Sequence, residues 1–244
     1  TFSLTHVNYT VDQGTYNLLI EYGAPDVDAD IDLDVQVKPF NITDHLDPSP
    51  PYQVKDRVRL TCKLRNANPG VTFRWTRGAT EVREPVEEYV AESYHNESYS
   101  IIEEELYKGD NGKLFICTAD NGVGTTTHSF ALSVQYAPKP LVSPCLQQDM
   151  NYPNLESATA RCSCSADANP SAHEIKWYES TTKDFSTAIR IDTEHNQSTL
   201  AVHDVRRDTE HKYYWCQATN VIATGQNKCM LDVHYAPEIS IPDE

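Results

Sequence analysis

The stretch "VRLTCKLRNANPGVTFRW", residues 58–75, carries Cys62 and, 13 residues later, Trp75. Further along the chain "ATARCSCSADANP" precedes "EIKW", and there Cys164 lies 13 residues before Trp177. Self-similarity of this kind indicates that one structural unit occurs twice. The spacing of the two residue types therefore predicts two copies of the same domain.

The repeat extends well beyond this stretch. "NGKLFICTADN" supplies Cys117 to the first copy, and "EHKYYWCQATN" supplies Cys216 to the second. "VQYAPKP" (134–140) returns as "VHYAPEI" (233–239), each after alternating apolar residues. Such alternation predicts a strand with one buried face, and the proline ends it because proline cannot donate to a ladder.

A Cys, Trp, Cys series among short alternating strands resembles the immunoglobulin superfamily, twice over. The resemblance implies an all-β fold of tandem immunoglobulin-like β-sandwiches of C2 or I type, at 40–137 and 138–238, with 239–244 as a linker or the start of a following segment. It also implies one disulfide per domain, packed on the tryptophan. These are Cys62–Cys117 and Cys164–Cys216. An unrelated β-sandwich is the alternative.

The first 39 residues resemble the end of a third such domain. "DQGTYNL" (12–18) is similar to the corner that opens strand F, with Leu18 at the position of the usual cysteine. "FSLTHVNYTV" would be strand E and "DADIDLDVQV" strand G. We therefore expect residues 1–39 to be the C-terminal part, strands E, F and G, of a disulfide-free domain that continues upstream. A freestanding extended arm is the alternative.

The remaining cysteines all fall in the last domain. Cys162 competes with Cys164 for Cys216, and the Cys–Trp spacing favours Cys164. Cys145 lies on the first strand, which in these sandwiches can run beside strand G, where Cys229 lies. We expect a Cys145–Cys229 disulfide, with Cys145–Cys162 as the second choice. Either pairing leaves one thiol, which is buried and free or is linked to another chain.

Composition limits the possible functions. Acidic residues outnumber basic ones 36 to 20, for a net charge of −16. Phosphate binding requires clustered Lys and Arg, so this balance argues against nucleic acid and anionic membranes as partners. No run of 18 apolar residues occurs, so no membrane insertion is expected within the segment.

The cysteines and the N-x-[ST] sequons favour an extracellular location, at the cell surface or secreted. Disulfides form and asparagines are glycosylated in the secretory pathway, which leads there. The expected N-glycosylation sites are Asn8, Asn41, Asn96 and Asn196.

Motifs for catalysis are missing from the sequence. "HEIKW" (173–177) begins like the H-E-x-x-H of zinc proteases but ends in Trp177 instead of the second histidine. The tripeptide "KGD" (108–110) resembles an integrin-binding motif, but its neighbours are turn formers, which favours an ordinary turn. No enzyme activity, catalytic residue, metal or cofactor is expected.

The stretch "DVDADIDLDV" (26–35) carries an aspartate at every second position. Side chains of a strand alternate between faces, so Asp30, Asp32 and Asp34 share one face. The opposite face, predicted to point to the core, carries Ile31, Leu33, Val35 and Val37. A calcium loop of the EF-hand type fails, since Ile31 and Val37 stand where glycine and glutamate are needed. Two interpretations of the aspartate row remain: a plain solvated strand face and a face that recognises a partner.

Arrays of this superfamily usually hold a recognition surface away from a membrane. We therefore expect the ectodomain of a cell-surface adhesion or recognition receptor. Alternatives are a secreted binding or inhibitor protein and a passive glycoprotein spacer. With Tyr16, Leu18 and Ile20 facing the core, the expected partner-binding residues are Asn17, Leu19, Glu21, Asp30, Asp32 and Asp34. The row of like charges favours a protein with a basic patch and disfavours a homophilic contact.

Overall fold

The computed structural model describes residues 14–20, 27–65, 67–82, 85–90, 97–147, 159–191, 198–205 and 212–231. The chain divides into two compact units, residues 1–134 and 135–244. Within the described ranges the regular elements are β-strands and two short 3₁₀ helices, Lys108–Asp110 and Phe185–Thr187.

The first unit opens with a two-stranded hairpin of β1 (Gly14–Ile20) and β2 (Val27–Leu33), which pair antiparallel. Its remaining strands are β3 (Phe40–Asp47), β4 (Tyr52–Gln53), β5 (Arg57–Arg65), β6 (Thr72–Arg77), β7 (Thr80–Val82), β8 (Glu87–Tyr89), β9 (Glu97–Glu105), β10 (Leu114–Asp120) and β11 (Thr125–Ala131). Apart from β4, these strands form two antiparallel sheets, with the orders β3-β5-β9-β8 and β11-β10-β6-β7.

The core of this domain lies between the two sheets. On β5, buried residues alternate with charged ones, so that Val58 and Leu60 point inward while Arg57 and Arg59 are exposed. Such a period of two is what a strand with one solvated face requires. Trp75 is 2% exposed and lies directly opposite Cys117 in the β6–β10 ladder.

The predicted disulfide between Cys62 and Cys117 is confirmed, and it joins β5 of one sheet to β10 of the other. Trp75 packs beside it, donates from its indole N–H to the hydroxyl of Ser100 at 3.0 Å, and stacks on Phe130. A bridge that closes a loop of 55 residues stabilises the folded domain by about 4 kcal/mol, because it lowers the conformational entropy of the unfolded chain.

The second unit repeats this construction. After β12 (Val134–Val142), which crosses the unit boundary, its strands are β13 (Leu146–Gln147), β14 (Ala160–Asn169), β15 (Glu174–Ser180), β16 (Ile189–Ile191), β17 (Thr199–Val202), β18 (Tyr213–Thr219) and β19 (Thr224–Met230). One sheet has the order β16-β15-β18-β19, and in the other β14 pairs with β12, β13 and β17.

The second predicted disulfide, Cys164–Cys216, is also confirmed, and Trp177 lies opposite Cys216 with its side chain fully buried. The preference for Cys164 over Cys162 is therefore correct. Cys162 lies on the same strand, two residues earlier, and is buried in the same core.

Of the two expected pairings of Cys145, the structure contains the second choice, Cys145–Cys162, in place of the first choice, Cys145–Cys229. Cys145 bonds to Cys162, and Cys229 is the free cysteine. The physical reason is that the segment of Cys145 runs beside β14: Ser143 donates its amide to the carbonyl of Ser163 at 2.9 Å, and β13 pairs with β14. Cys145 and Cys162 are thereby neighbours in one sheet, and Cys229, on the other sheet, keeps its thiol although its sulfur lies close to theirs.

Candidate partner-binding site

The hairpin of β1 and β2 arranges the predicted partner-binding residues in a fixed register. Asn17 lies opposite Asp30, and Leu19 lies opposite Asp28. Residues directly opposite in an antiparallel ladder are close neighbours, so the aspartates of β2 run alongside these positions of β1. Glu21 lies outside the described residues.

The aspartate row is solvent-exposed at Asp30 and Asp32. Ile31, between them, is 48% exposed, so the prediction that it faces a core is wrong. Neither buried core cluster of the described residues includes a hairpin residue. A two-stranded hairpin has little apolar area to bury by itself, which accounts for this exposure.

Asp34 is exposed, as Asp30 and Asp32 are, but it also makes a structural contact. Strand β2 ends at Leu33, so Asp34 belongs to the connection that follows it. Its carboxylate accepts a hydrogen bond of 2.6 Å from the side-chain amide of Asn68, which also donates to the carbonyl of Val35 at 2.9 Å. Asp34 is thus a structural residue that ties the connection to the loop after β5.

A second asparagine holds the same connection from the other side. The amide of Asn121, just after β10, donates to the carbonyl of Val37 at 2.8 Å and to that of Pro69 at 3.1 Å. Val37 and Asn68 also exchange backbone hydrogen bonds, of 2.6 and 3.1 Å. We call Asn68 and Asn121 the asparagine clamp, since together they hold the incoming chain at the end of the sandwich.

The second unit has its own counterpart to Asn121. The amide of Asn220 donates to the carbonyls of Tyr136 and Pro170, both at 2.9 Å, and Asn220 is 4% exposed. Sequence analysis missed this role. The signal was present, because Asn121 and Asn220 each stand four residues after the second disulfide cysteine, in "CTADN" and "CQATN".

The "KGD" tripeptide forms the 3₁₀ helix Lys108–Asp110, and Asp110 is 2% exposed. Its carboxylate accepts hydrogen bonds from Arg77 (2.8 Å at Nε, with a second bond from Nη2) and from the amide of Tyr107 at 2.7 Å. The turn interpretation is therefore correct, because a buried carboxylate cannot be presented to a partner.

The Asp110 carboxyl has a pKa below its ordinary value. Burial opposes its ionisation, but the hydrogen bonds from Arg77 and Tyr107 and the positive charge of Arg77 outweigh burial. Arg77 in turn donates to Glu104 at 2.7 Å, so the guanidinium has two carboxylate partners.

The outer face of the β15–β18–β19 sheet carries an aromatic cluster of Tyr178, Phe185 and Trp215. Phe185 meets the other two rings edge-on, and the ammonium of Lys228 lies 4.3 Å above the Trp215 ring. Trp215 is consequently 8% exposed although it points away from the core, and its indole N–H has no hydrogen-bond acceptor among the residues that the structure describes.

Of the expected glycosylation sites, Asn41 is exposed on β3. The other three sites, Asn8, Asn96 and Asn196, lie outside the described residues. Among the described residues the close group of potential metal ligands is Cys145, Cys162 and Cys229, two of which form a disulfide. In the same ranges, no helix is long and apolar enough to span a bilayer.

The sequence model of the immunoglobulin I-set domain matches residues 45–134 and 148–233. This chain belongs to the immunoglobulin I-set family. The family assignment agrees with the two disulfide-linked sandwiches and with the predicted all-β fold of tandem immunoglobulin-like domains.

Several cell adhesion molecules are similar to this I-set chain. Chicken neural cell adhesion molecule 1 is 27% identical over 90% of the chain, and human cell adhesion molecule 1 is 24% identical over 96%. The chain spans 20% of the former protein and 51% of the latter. The ectodomain of mouse nectin-like molecule 4, with domains Ig1–Ig3, has the same fold, with a TM-score of 0.70 at 19% identity over 98% of this chain and 78% of that one.

Proposed function

We propose that this chain is a protein-binding part of the ectodomain of a cell-surface adhesion or recognition protein. Its relatives over most of its length are named as cell adhesion molecules. The disulfides and the sequons fit an extracellular setting, in which both are formed. The inferred activity is binding, with no catalysis.

The domain organisation that goes with this function is a proposal as well. Residues 1–39 would be the last strands of a disulfide-free immunoglobulin-like domain, before domains at 40–137 and 138–238 and a linker at 239–244. The antiparallel pairing of β1 and β2 supports their assignment as strands F and G. Glycans would be attached at Asn8, Asn41, Asn96 and Asn196.

The proposed contact surface lies on the hairpin, and one observation carries it: Asp30 and Asp32 are exposed side by side on the same face of β2. Asp34, just after β2, and Asn17, Leu19 and Glu21 on the neighbouring segment would complete the surface. Since the whole chain has a net charge of −16, a second copy would be repelled. The surface should therefore select a protein with a basic patch.

The test begins with a screen of the multimerised chain against an array of purified extracellular proteins. The association rate with a captured partner is then measured by surface plasmon resonance at increasing salt. We expect Asp30→Asn with Asp32→Asn to slow association about tenfold at low salt, because long-range attraction steers encounter. The difference should shrink towards 1 M salt, where the screening length is about 3 Å.

A matched control is Glu81→Gln with Glu88→Gln, which removes the same charge from exposed positions on β7 and β8. If this control slows association as much as the hairpin variant does, net charge alone is responsible and the hairpin is not the site. If no protein of the array is captured by the wild-type chain, the proposal of a binding segment gives way to that of a passive spacer.

A further inference from the structure

Three sulfur atoms of the second unit converge in one place. Cys145, Cys162 and Cys229 have their Sγ atoms within 4.8 Å of one another. Cys145 and Cys162 are bonded and buried, and the Cys229 sulfur lies 2.9 Å from that of Cys145. This separation is shorter than an ordinary van der Waals contact, so the thiol lies against one sulfur of a disulfide.

The three cysteines come from both sheets of the sandwich. Cys162 lies on β14, and Cys229 lies on β19 of the other sheet. Cys145 precedes β13, in a segment that runs along β14 and covers one edge of the core. A bond from Cys145 to Cys162 fastens this segment to the sheet of β14, and a bond from Cys145 to Cys229 would fasten it to the sheet of β19.

We propose that this domain exists as two disulfide isomers, Cys145–Cys162 with a Cys229 thiol and Cys145–Cys229 with a Cys162 thiol, which interconvert by internal thiol–disulfide exchange. The Cys229 thiol loses its proton, and its thiolate attacks the sulfur of Cys145. The bond between Cys145 and Cys162 breaks, and Cys162 leaves as a thiolate that takes up a proton. One disulfide and one thiol are present before and after, so no oxidant or reductant is consumed.

The position of the thiol also sets the rate of exchange. Burial raises the pKa of Cys229 to about 11, so the attacking thiolate is scarce at neutral pH. The thiol is held against the carbonyl of Tyr214, on the neighbouring strand β18, at 3.8 Å. Exchange is consequently slow, and the two isomers persist long enough to be trapped and identified.

The experiment identifies which cysteine is free. The full chain is held at 37 °C, quenched with acid, and unfolded with N-ethylmaleimide at a pH too low for exchange. Digestion without reduction and tandem mass spectrometry then locate the label. We expect label on Cys229 in one population and on Cys162 in another. The ratio should converge to one value during incubation.

Two serine variants provide the controls. Cys229→Ser should carry no label, because it can form only Cys145–Cys162. Cys162→Ser should form Cys145–Cys229 in an oxidised preparation and likewise carry no label. Label confined to Cys229 in the wild-type chain after prolonged incubation would overturn the proposal, and so would label on Cys145, which would signify a Cys162–Cys229 bond. The wild-type result decides even if a variant fails to fold.

Discussion

Replacing Asp110 by asparagine should destabilise the domain that contains it, proposed at 40–137, by about 2–3 kcal/mol. Removing one partner of a buried ion pair costs about 3–5 kcal/mol, because the other charge is left without its counterion. The cost should fall below that range here, because Arg77 is one-fifth exposed at its side chain and keeps Glu104 as a second partner.

Hydrogen exchange read by mass spectrometry measures this effect in the full chain. A loss of 2–3 kcal/mol corresponds to exchange about 30- to 150-fold faster for the amides that open only on unfolding. The effect should appear in peptides of 57–65 and 114–120. Peptides of 213–219, in the second unit, are the internal reference. Glu103→Gln is the matched control: it breaks the Arg57–Glu103 pair, whose side chains are 71% and 36% exposed, and should change exchange by about twofold or less.

The same variant has a defined dependence on pH. The pKa of Asp110 is lower in the folded state than in the unfolded chain, so its ionised form stabilises the fold above about pH 4. That contribution is lost as the pH falls through the lowered pKa. The difference in the free energy of unfolding between wild type and Asp110→Asn should therefore be largest at pH 7 and should decrease in acid. Equal exchange rates for the Asp110 and Glu103 variants at pH 7 would refute the reasoning.

Further predictions concern the clamp, the free thiol and the aromatic cluster. Asn121→Ala should cost about 1–3 kcal/mol, because the carbonyls of Val37 and Pro69 each lose one donor, and should speed amide exchange at Val37 while Asn220→Ala leaves Val37 unchanged. Alkylation of Cys229 in the native chain should be slow at pH 8 and accelerate towards pH 11; equally fast alkylation at pH 8 and in the unfolded chain would contradict the raised pKa. Lys228→Ala should shift tryptophan emission to the red by uncovering Trp215, since the other two tryptophans are at most 2% exposed; an unchanged spectrum would show that Lys228 does not shield the ring.

The sandwiches could be predicted because their determinants are local. The spacing from Cys62 to Trp75 is set by the length of two strands and a turn, and it recurs from Cys164 to Trp177. Alternation of apolar residues then assigns an inward face to each strand. The disulfide between the two sheets was implied by the resemblance to the immunoglobulin superfamily.

The pairing of Cys145 could not be predicted, because it depends on which sheet its segment joins. Three sulfurs within 4.8 Å are compatible with more than one bond, and the hydrogen bond from Ser143 to Ser163 favours the β14 side. The contact of Asp34 with Asn68 escaped prediction for a related reason. Its place in the alternating row looked equivalent to that of Asp30, but the strand ends one residue before it and a distant asparagine binds its carboxylate.

The asparagine clamp restricts the connections between domains in length and leaves their sequence largely free. Most of its hydrogen bonds end on main-chain groups, at Val35 and Val37 among others, which any residue offers. Asn220 binds the carbonyl of Tyr136 in the same way. A substitution in these connections would preserve the donors and acceptors, whereas an insertion or deletion would move the carbonyls out of reach. Related chains should therefore vary freely in the residue types of these segments but keep the number of residues constant. A recombinant fragment that starts at Phe40 would discard part of the domain it was meant to isolate.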